Sequence, residues 1–379
     1  MCFRLLVLPA LFAAAVALAA DPPKSEPKPK EDKNKAKLTY TNPAETDEDF
    51  PIQGEYVGLI AWPQFGRDEA GLQVIALGGG KFDAVLYRGG LPGEGWIRPQ
   101  REQLSGERKP FGVQLVGWLG SIVIENGRAQ FYNAKGMPAG TLSRKNRVSP
   151  TIGATPPPGA IVLFDEHTKN LDQFSGAKLT KEGYLHSGLL TKMKVGDFRL
   201  HLEFRTPYMP YARGQARANS GVYIQQRYEL QILDSFGLKG EFNECGALYR
   251  QQPPEFNMAY PPLAWQTYDL YFTAAKFAAD GKTKTAPARL TAYHNGTAVH
   301  FERLIKTKTG AGKAEGPEEF PINLQDHGNP VAFRNVWIVP MNSAANPRPS
   351  VSPSIRYVGA CAGCCGACNV VTCCGAPCN

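Results

Sequence analysis

Apolar and polar residues alternate in short runs along most of this chain, and turn residues separate the runs. In Phe198-Arg199-Leu200-His201-Leu202-Glu203-Phe204-Arg205, the residues Phe198, Leu200, Leu202 and Phe204 share one face and the polar residues share the other. A period of two is the mark of a β-strand with one face on a core. Similar runs occur at 56–60, 72–77, 82–87, 122–125 and 128–132, and again at 161–165, 184–186, 221–224, 228–233, 267–273, 289–294, 297–301 and 331–339. Asn126-Gly127 and Asn295-Gly296 each fall between two runs, and this dipeptide tolerates the positive φ angles of a two-residue hairpin turn. Asn295-Gly296-Thr297 also spells a glycosylation sequon, but the turn accounts for it. Long amphipathic helical stretches are scarce, so the pattern predicts an all-β protein. The many strands after about 160 predict a two-sheet β-sandwich, and residues 38–150 a smaller N-terminal β-rich domain.

The ends differ in composition. Residues 1–20 read as a signal peptide, with Arg4 before the apolar stretch Leu5 to Leu18 and small residues at Ala17-Leu18-Ala19-Ala20. The stretch is short for a membrane span, so the expectation is export to the periplasm or the extracellular space. Residues 21–37 mix Lys, Glu, Asp and Pro as a linker does. Residues 151–160, centred on Thr155-Pro156-Pro157-Pro158-Gly159, read as a Pro-rich hinge between the 38–150 domain and a second domain at 161–341. Residues 342–379 form a low-complexity tail.

The net charge of +8 is modest and much of it falls in the linker, so no basic patch with interleaved aromatics argues for nucleic acid. Apart from Cys2 in the signal and Cys245, the cysteines crowd the tail: Cys361, Cys364, Cys365, Cys368, Cys373, Cys374 and Cys378. In an exported protein this favours disulfide cross-linking, although two C-x-x-C pairs also suit zinc. Gly78-Gly79-Gly80 has neither a following helix nor a Gly-Lys-Ser/Thr, so it predicts a β-turn and not a phosphate loop.

Candidate chemistry concentrates in Asn219 to Asp234. Glu229 and Gln231 are two apart and share a strand face, and Asp234 joins them where one residue bulges out. Acid/base groups beside a hydrogen-bonding amide suit the cutting or holding of a sugar.

Several pieces resemble, in order, the 3-keto-disaccharide hydrolase family. They are Leu163-Phe164-Asp165, the strand Phe198 to Arg205, Asn219-Ser220-Gly221-Val222-Tyr223, and Tyr228-Glu229-Leu230-Gln231-Ile232-Leu233-Asp234. Gly246-Ala247-Leu248-Tyr249, Trp265-Gln266-Thr267-Tyr268, His294-Asn295-Gly296, Ile322 to Gly328 and Phe333-Arg334-Asn335-Val336-Trp337-Ile338 follow. The resemblance covers about 160 to 340. It implies a concanavalin-like jelly-roll sandwich and cleavage of glycosides oxidised to a ketone at C3. A 3-ketone acidifies the C2 proton, so the chemistry needs a base of near-neutral pKa, a stabiliser for the enolate oxygen and an acid for the leaving oxygen.

On this reading the catalytic candidates are Glu229, His327 and Asp234. The substrate-binding candidates are Arg217, Asn219, Ser220, Tyr223, Gln231, Trp265, Gln325 and Arg334. Burial beside Trp265 or Tyr223 raises a carboxyl pKa. No cofactor is certain, but Asp234 is a candidate ligand for a divalent metal such as calcium. The expected partner is a carbohydrate substrate, without nucleic acid or a membrane span. Two alternatives stay open: a lectin-like carbohydrate-binding module, and an ordinary laminarinase-like glycosidase, whose two carboxyls must lie ~5–5.5 Å apart.

Overall fold

The computed structural model describes residues 35–341. The expected signal peptide, most of the charged linker and the Cys-rich tail lie outside the described residues. Within them the chain is all-β, with four short 3-10 segments. None of its helices is long and apolar enough to cross a membrane.

Eight antiparallel strands, from Gly54–Trp62 to Pro138–Lys145, form a closed barrel. The first strand closes it by pairing with both Gly66–Gly78 and Pro138–Lys145. Alternate residues, among them Tyr56, Ile60, Leu72, Val74, Phe82 and Leu86, point inward and fill it. Three barrel strands are missing from the sequence reading: Gly112–Val116, where Val113 and Leu115 are buried, and two in which little is apolar and buried. Leu104 is the buried apolar residue of Arg101–Lys109, and Leu142 that of Pro138–Lys145. A Cβ on Gly58 would lie 2.1 Å from the Thr141 carbonyl oxygen, so glycine there lets two strands close up. Gly78-Gly79-Gly80 is the expected turn, with φ values of 80°, 64° and 73°.

From Ile161 onward two antiparallel sheets share one core. The seven-stranded sheet runs Leu185–His186, Ala332–Pro340, Phe198–Arg205, Trp265–Thr273, Ala288–His294, Thr297–Ile305, with Ile161–Phe164 also on Ala332–Pro340. The five-stranded sheet runs Phe174–Ser175, Leu189–Thr191, Asn323–Leu324, Ser220–Ile224, Tyr228–Ile232. Leu200, Leu202 and Phe204 from the first meet Val222, Ile224, Leu230 and Ile232 from the second. Both Asn-Gly turns form, with Asn126 at φ 49° and Asn295 at φ 50°. Asn295 is buried with its amide donated to the Met258 carbonyl at 2.8 Å, which suits the turn and not a glycosylated surface.

The barrel is seated on this second unit. Tyr208 and Leu263 pack into the barrel core. Arg147 and Glu55, both buried, form a bidentate pair at 2.7 and 2.5 Å. The first residues of the expected hinge lie on the outer face of the seven-stranded sheet. There the Gly153 N–H donates to Glu203 at 2.6 Å and the Thr151 hydroxyl to Asp269 at 2.8 Å. Glu203, which its alternation marks as a surface residue, is instead 1% exposed beneath this segment. Alternation reports which side of a sheet a residue occupies, but not what chain covers that side.

Candidate active site

Ser220–Ile224 and Tyr228–Ile232 pair without a break, setting Tyr223 opposite Glu229 and Gly221 opposite Gln231. Val222, Leu230 and Ile232 enter the core, so Gly221, Tyr223, Glu229 and Gln231 face outward together. Glycine at 221 makes room: a Cβ there would stand 2.8 Å from Glu229 Oε1 and 3.2 Å from Gln325 Oε1. The loop at 309–312 leans over from the side. The Thr309 hydroxyl accepts the Glu229 N–H at 2.7 Å, and a Cβ on Gly310 would meet Tyr223 Oη at 3.4 Å and Glu229 Oε2 at 3.6 Å.

Glu229 is thus 2% exposed with no cation paired to it among the described residues. Burial pushes its carboxyl from an ordinary 4.5 up to about 7, against the lowering effect of a hydrogen bond from Tyr223. The Tyr223 hydroxyl is itself raised by burial and by that same carboxylate.

Amide oxygens line this face. Gln231 donates to Gln215 Oε1 at 3.0 Å, which leaves its own Oε1 buried without a partner. Asn219 donates to the Gln215 carbonyl at 2.9 Å and leaves Oδ1 likewise. Gln325 Oε1 is the third such oxygen. Unsatisfied buried acceptors cost roughly 1–3 kcal/mol each, and donors such as sugar hydroxyls remove that cost. Ser220 spends its hydroxyl on the Gln325 carbonyl at 2.7 Å and so fixes the Gln325 loop. His327 is exposed farther along that loop, and its ring has no hydrogen-bond or ion-pair partner among the described residues.

Asp234 lies apart from Glu229. Ile232 and Leu233 both enter the core, so the alternation slips one step past the strand end. The strand that carries Glu229 ends at Ile232, two residues before Asp234. Asp234 accepts from Arg217 Nε at 2.6 Å and from the Phe236 N–H at 3.3 Å. A carboxylate held by a guanidinium does not fit a cation ligand, and no cluster of three or more His, Cys, Asp or Glu side chains suited to a metal occurs among the described residues.

Trp265 and Arg334 are not brought to Glu229, because they belong to the outer face of the opposite sheet. Arg205 is opposite Trp265 and Glu203 opposite Arg334 in the register. The Arg334 guanidinium lies 4.2 Å from the Trp265 ring centre, and Arg334 Nε donates to Glu203 at 2.7 Å. Trp265 also makes an edge contact with Tyr184 at 4.8 Å.

The profile of the 3-keto-alpha-glucoside-1,2-lyase-like domain family matches residues 159–339. The second unit belongs to this family. A crystal structure from Parabacteroides distasonis ATCC 8503, described as a candidate glycosyl hydrolase, is 28% identical. It covers 49% of this chain and 85% of its own, with a TM-score of 0.44. Another from the same organism, described in the same words, is 19% identical and covers 52% of this chain and 99% of its own, with a TM-score of 0.35. Among curated proteins no sequence matches the chain.

In this lyase-like domain three residues of the site were not among the sequence candidates, although Tyr249 falls in a quoted motif. Gln215 ties Gln231 and Asn219 together, Tyr249 reaches Gln215 at 3.5 Å, and Thr309 holds the Glu229 backbone. Thr309 lies 80 residues from Glu229 along the chain, beyond the reach of any local pattern. Two other histidines are structural. His294 and His300 are buried, pushed down by burial to about 3 and about 4, and bonded to Gln266 and to the Gly246 carbonyl.

Proposed function

We propose that the domain cleaves the glycosidic bond of 3-keto-glycosides, with Glu229 as the base. The observation that carries this is a buried carboxyl, without a cation partner and raised to about 7, on the same sheet face as three unsatisfied amide oxygens. A base that titrates near neutrality matches proton removal from carbon at physiological pH.

In the proposed reaction the Glu229 carboxylate takes the proton from C2, and the electron pair forms an enolate with the C3 ketone. Collapse of the enolate makes the C1–C2 double bond and breaks the bond from C1 to the leaving oxygen, which takes up a proton. Water then adds its oxygen to C1 and a proton returns to C2, so the net change is hydrolysis. Gln231, Asn219 and Gln325 accept hydrogen bonds from ring hydroxyls. His327, exposed on the Gln325 loop, is the proposed donor to the leaving oxygen. No metal enters this scheme. The two-sheet unit corresponds to a concanavalin-like jelly roll in this reading, and the protein is exported.

The test incubates the purified protein with a 3-keto disaccharide and with its unoxidised parent and follows sugar release. Release from the keto sugar alone, lost in Glu229→Gln and reduced in His327→Ala, is expected. Turnover of the parent would overturn the proposal in favour of an ordinary glycosidase, and binding of both sugars without turnover in favour of a lectin.

A further inference from the structure

A cavity of about 310 Å³ lies where the barrel meets the lyase-like domain. The barrel lines it with Ile75, Asp83, Gln103 and Ser105, and the other side contributes Arg217 and Asp234. Asp83 and Ser105 are directly opposite across two barrel strands, and Gln103 faces the same way two residues on. Ile75 pairs with Asp83 from the next strand and is seated against Gly237, where a Cβ would come within 2.4 Å of its Cδ1. The lack of a side chain at 237 therefore sets the approach of the two units.

Arg217 is 6% exposed, with Nε held by Asp234. Its Nη2 is buried with no acceptor among the described residues. Asp83 lies within the electrostatic reach of Arg217 and Arg213. The walls thus offer donors, acceptors and an apolar patch together. An anion would face two carboxylates here and a cation two guanidinium groups. A neutral polyhydroxylated ring, which donates and accepts through its hydroxyls and rests its C–H face on apolar surface, suits all of them. The volume is at the lower end of small-molecule sites, ~300–1,000 Å³.

The cavity is coupled to the candidate active site by shared scaffolding. Gln215, on the turn between Arg213 and Arg217, holds Gln231, and the strand that carries Glu229 ends two residues before Asp234. We propose that the barrel supplies the second wall of a distal sugar subsite, in which Asp83, Gln103 and Arg217 hold the far end of an extended glycoside. This rests on the proposed reading of Glu229. The cavity is lined by Asp234, past the end of the strand that carries Glu229, and not by Glu229 itself, which places it at a unit other than the ring that is cleaved.

The test compares the full-length protein with the double variant Asp83→Ala/Gln103→Ala on a 3-keto disaccharide and on a cellotetraose and a maltotetraose each carrying a 3-keto end. Thermal unfolding verifies that the variant is folded. For a tetrasaccharide that is turned over, KM should rise about tenfold in the variant with kcat unchanged, the loss of one or two hydrogen bonds. Disaccharide kinetics should stay as in the wild type. An unchanged tetrasaccharide KM, or an equal change for the disaccharide, overturns the subsite. If the wild type turns over no keto sugar, the reading of Glu229 fails, and calorimetric binding of unoxidised cellotetraose and maltotetraose then decides the cavity. Binding weakened about tenfold in the variant supports it. No binding, or equal binding, overturns it.

Discussion

Glu229→Gln should remove turnover yet make the folded protein more stable at alkaline pH. Burial raises this carboxyl from 4.5 to about 7. The unfolded chain releases the proton near 4.5, whereas the folded chain keeps it until about 7. Between those values the folded state binds more protons, so this group's contribution to stability declines as pH rises through the window. Above about pH 7 the deficit is complete. A gap of roughly 2.5 units at about 1.36 kcal/mol each amounts to about 3 kcal/mol. Glutamine has almost the same shape, keeps an acceptor for Tyr223 and has no charge to desolvate, so it escapes that deficit. The assay is thermal unfolding of wild type and variant at pH 4 and pH 8, beside activity on a 3-keto disaccharide. At pH 8 the variant should melt about 6–12 °C higher, taking ~2–4 °C per kcal/mol for a domain of this size. At pH 4, where the native carboxyl is protonated in both states, the two should melt together. A variant that melts lower at pH 8, or a difference equal at both pH values, would refute the argument that Glu229 is held unpaired in a dry setting.

Tyr223→Phe removes a hydrogen bond that favours the ionised carboxyl, so the acid limb of kcat/KM should move upward by about one unit; a limb that stays or moves down would show that the hydroxyl does not tune Glu229. Gly221→Ala places a methyl 2.8 Å from Glu229 Oε1 and should displace the base, lowering kcat about 10–100-fold while the far-ultraviolet spectrum stays the same. Glu203→Gln should destabilise the protein by about 2–3 kcal/mol in urea unfolding, less than a fully buried pair because Arg334 is partly exposed. Burial alone would raise Glu203, but bonds from His201, Asn335, Gly153 and Arg334 hold it down at about 2. Its contribution is therefore full above about 4.5 and disappears as pH falls toward about 2. Burial opposes protonation of His201, yet Asp269 and Glu203 raise its pKa, so its contribution is full below about 6.5 and is lost as pH rises through the folded value. The gap between wild type and Glu203→Gln should accordingly be widest near pH 5.5 and narrow toward pH 3 and toward alkaline pH; a gap independent of pH would remove the charge argument.

Local chemistry was enough for much of this protein. Phe198 to Arg205 is a strand because four apolar residues at period two have one side to bury, and Asn126-Gly127 and Asn295-Gly296 are turns because those residues tolerate positive φ. The common face of Glu229 and Gln231 follows from the same period, which a covalent chain cannot escape. Partners distant in sequence were decided by the tertiary structure. The barrel closes through Pro138–Lys145, whose single buried apolar residue carries no readable alternation. Trp265 and Arg334 share a family pattern with Glu229 but lie on the other sheet, because which sheet a strand joins depends on its pairing and not on its own residues. Glu203 looks like a surface acid until the segment at 151–154 covers it. Glu229 looks like one too. Its raised pKa comes from burial beneath the Thr309 and Gln325 loops, against the hydrogen bond from Tyr223, and desolvation is a property of the surroundings that no residue encodes by itself.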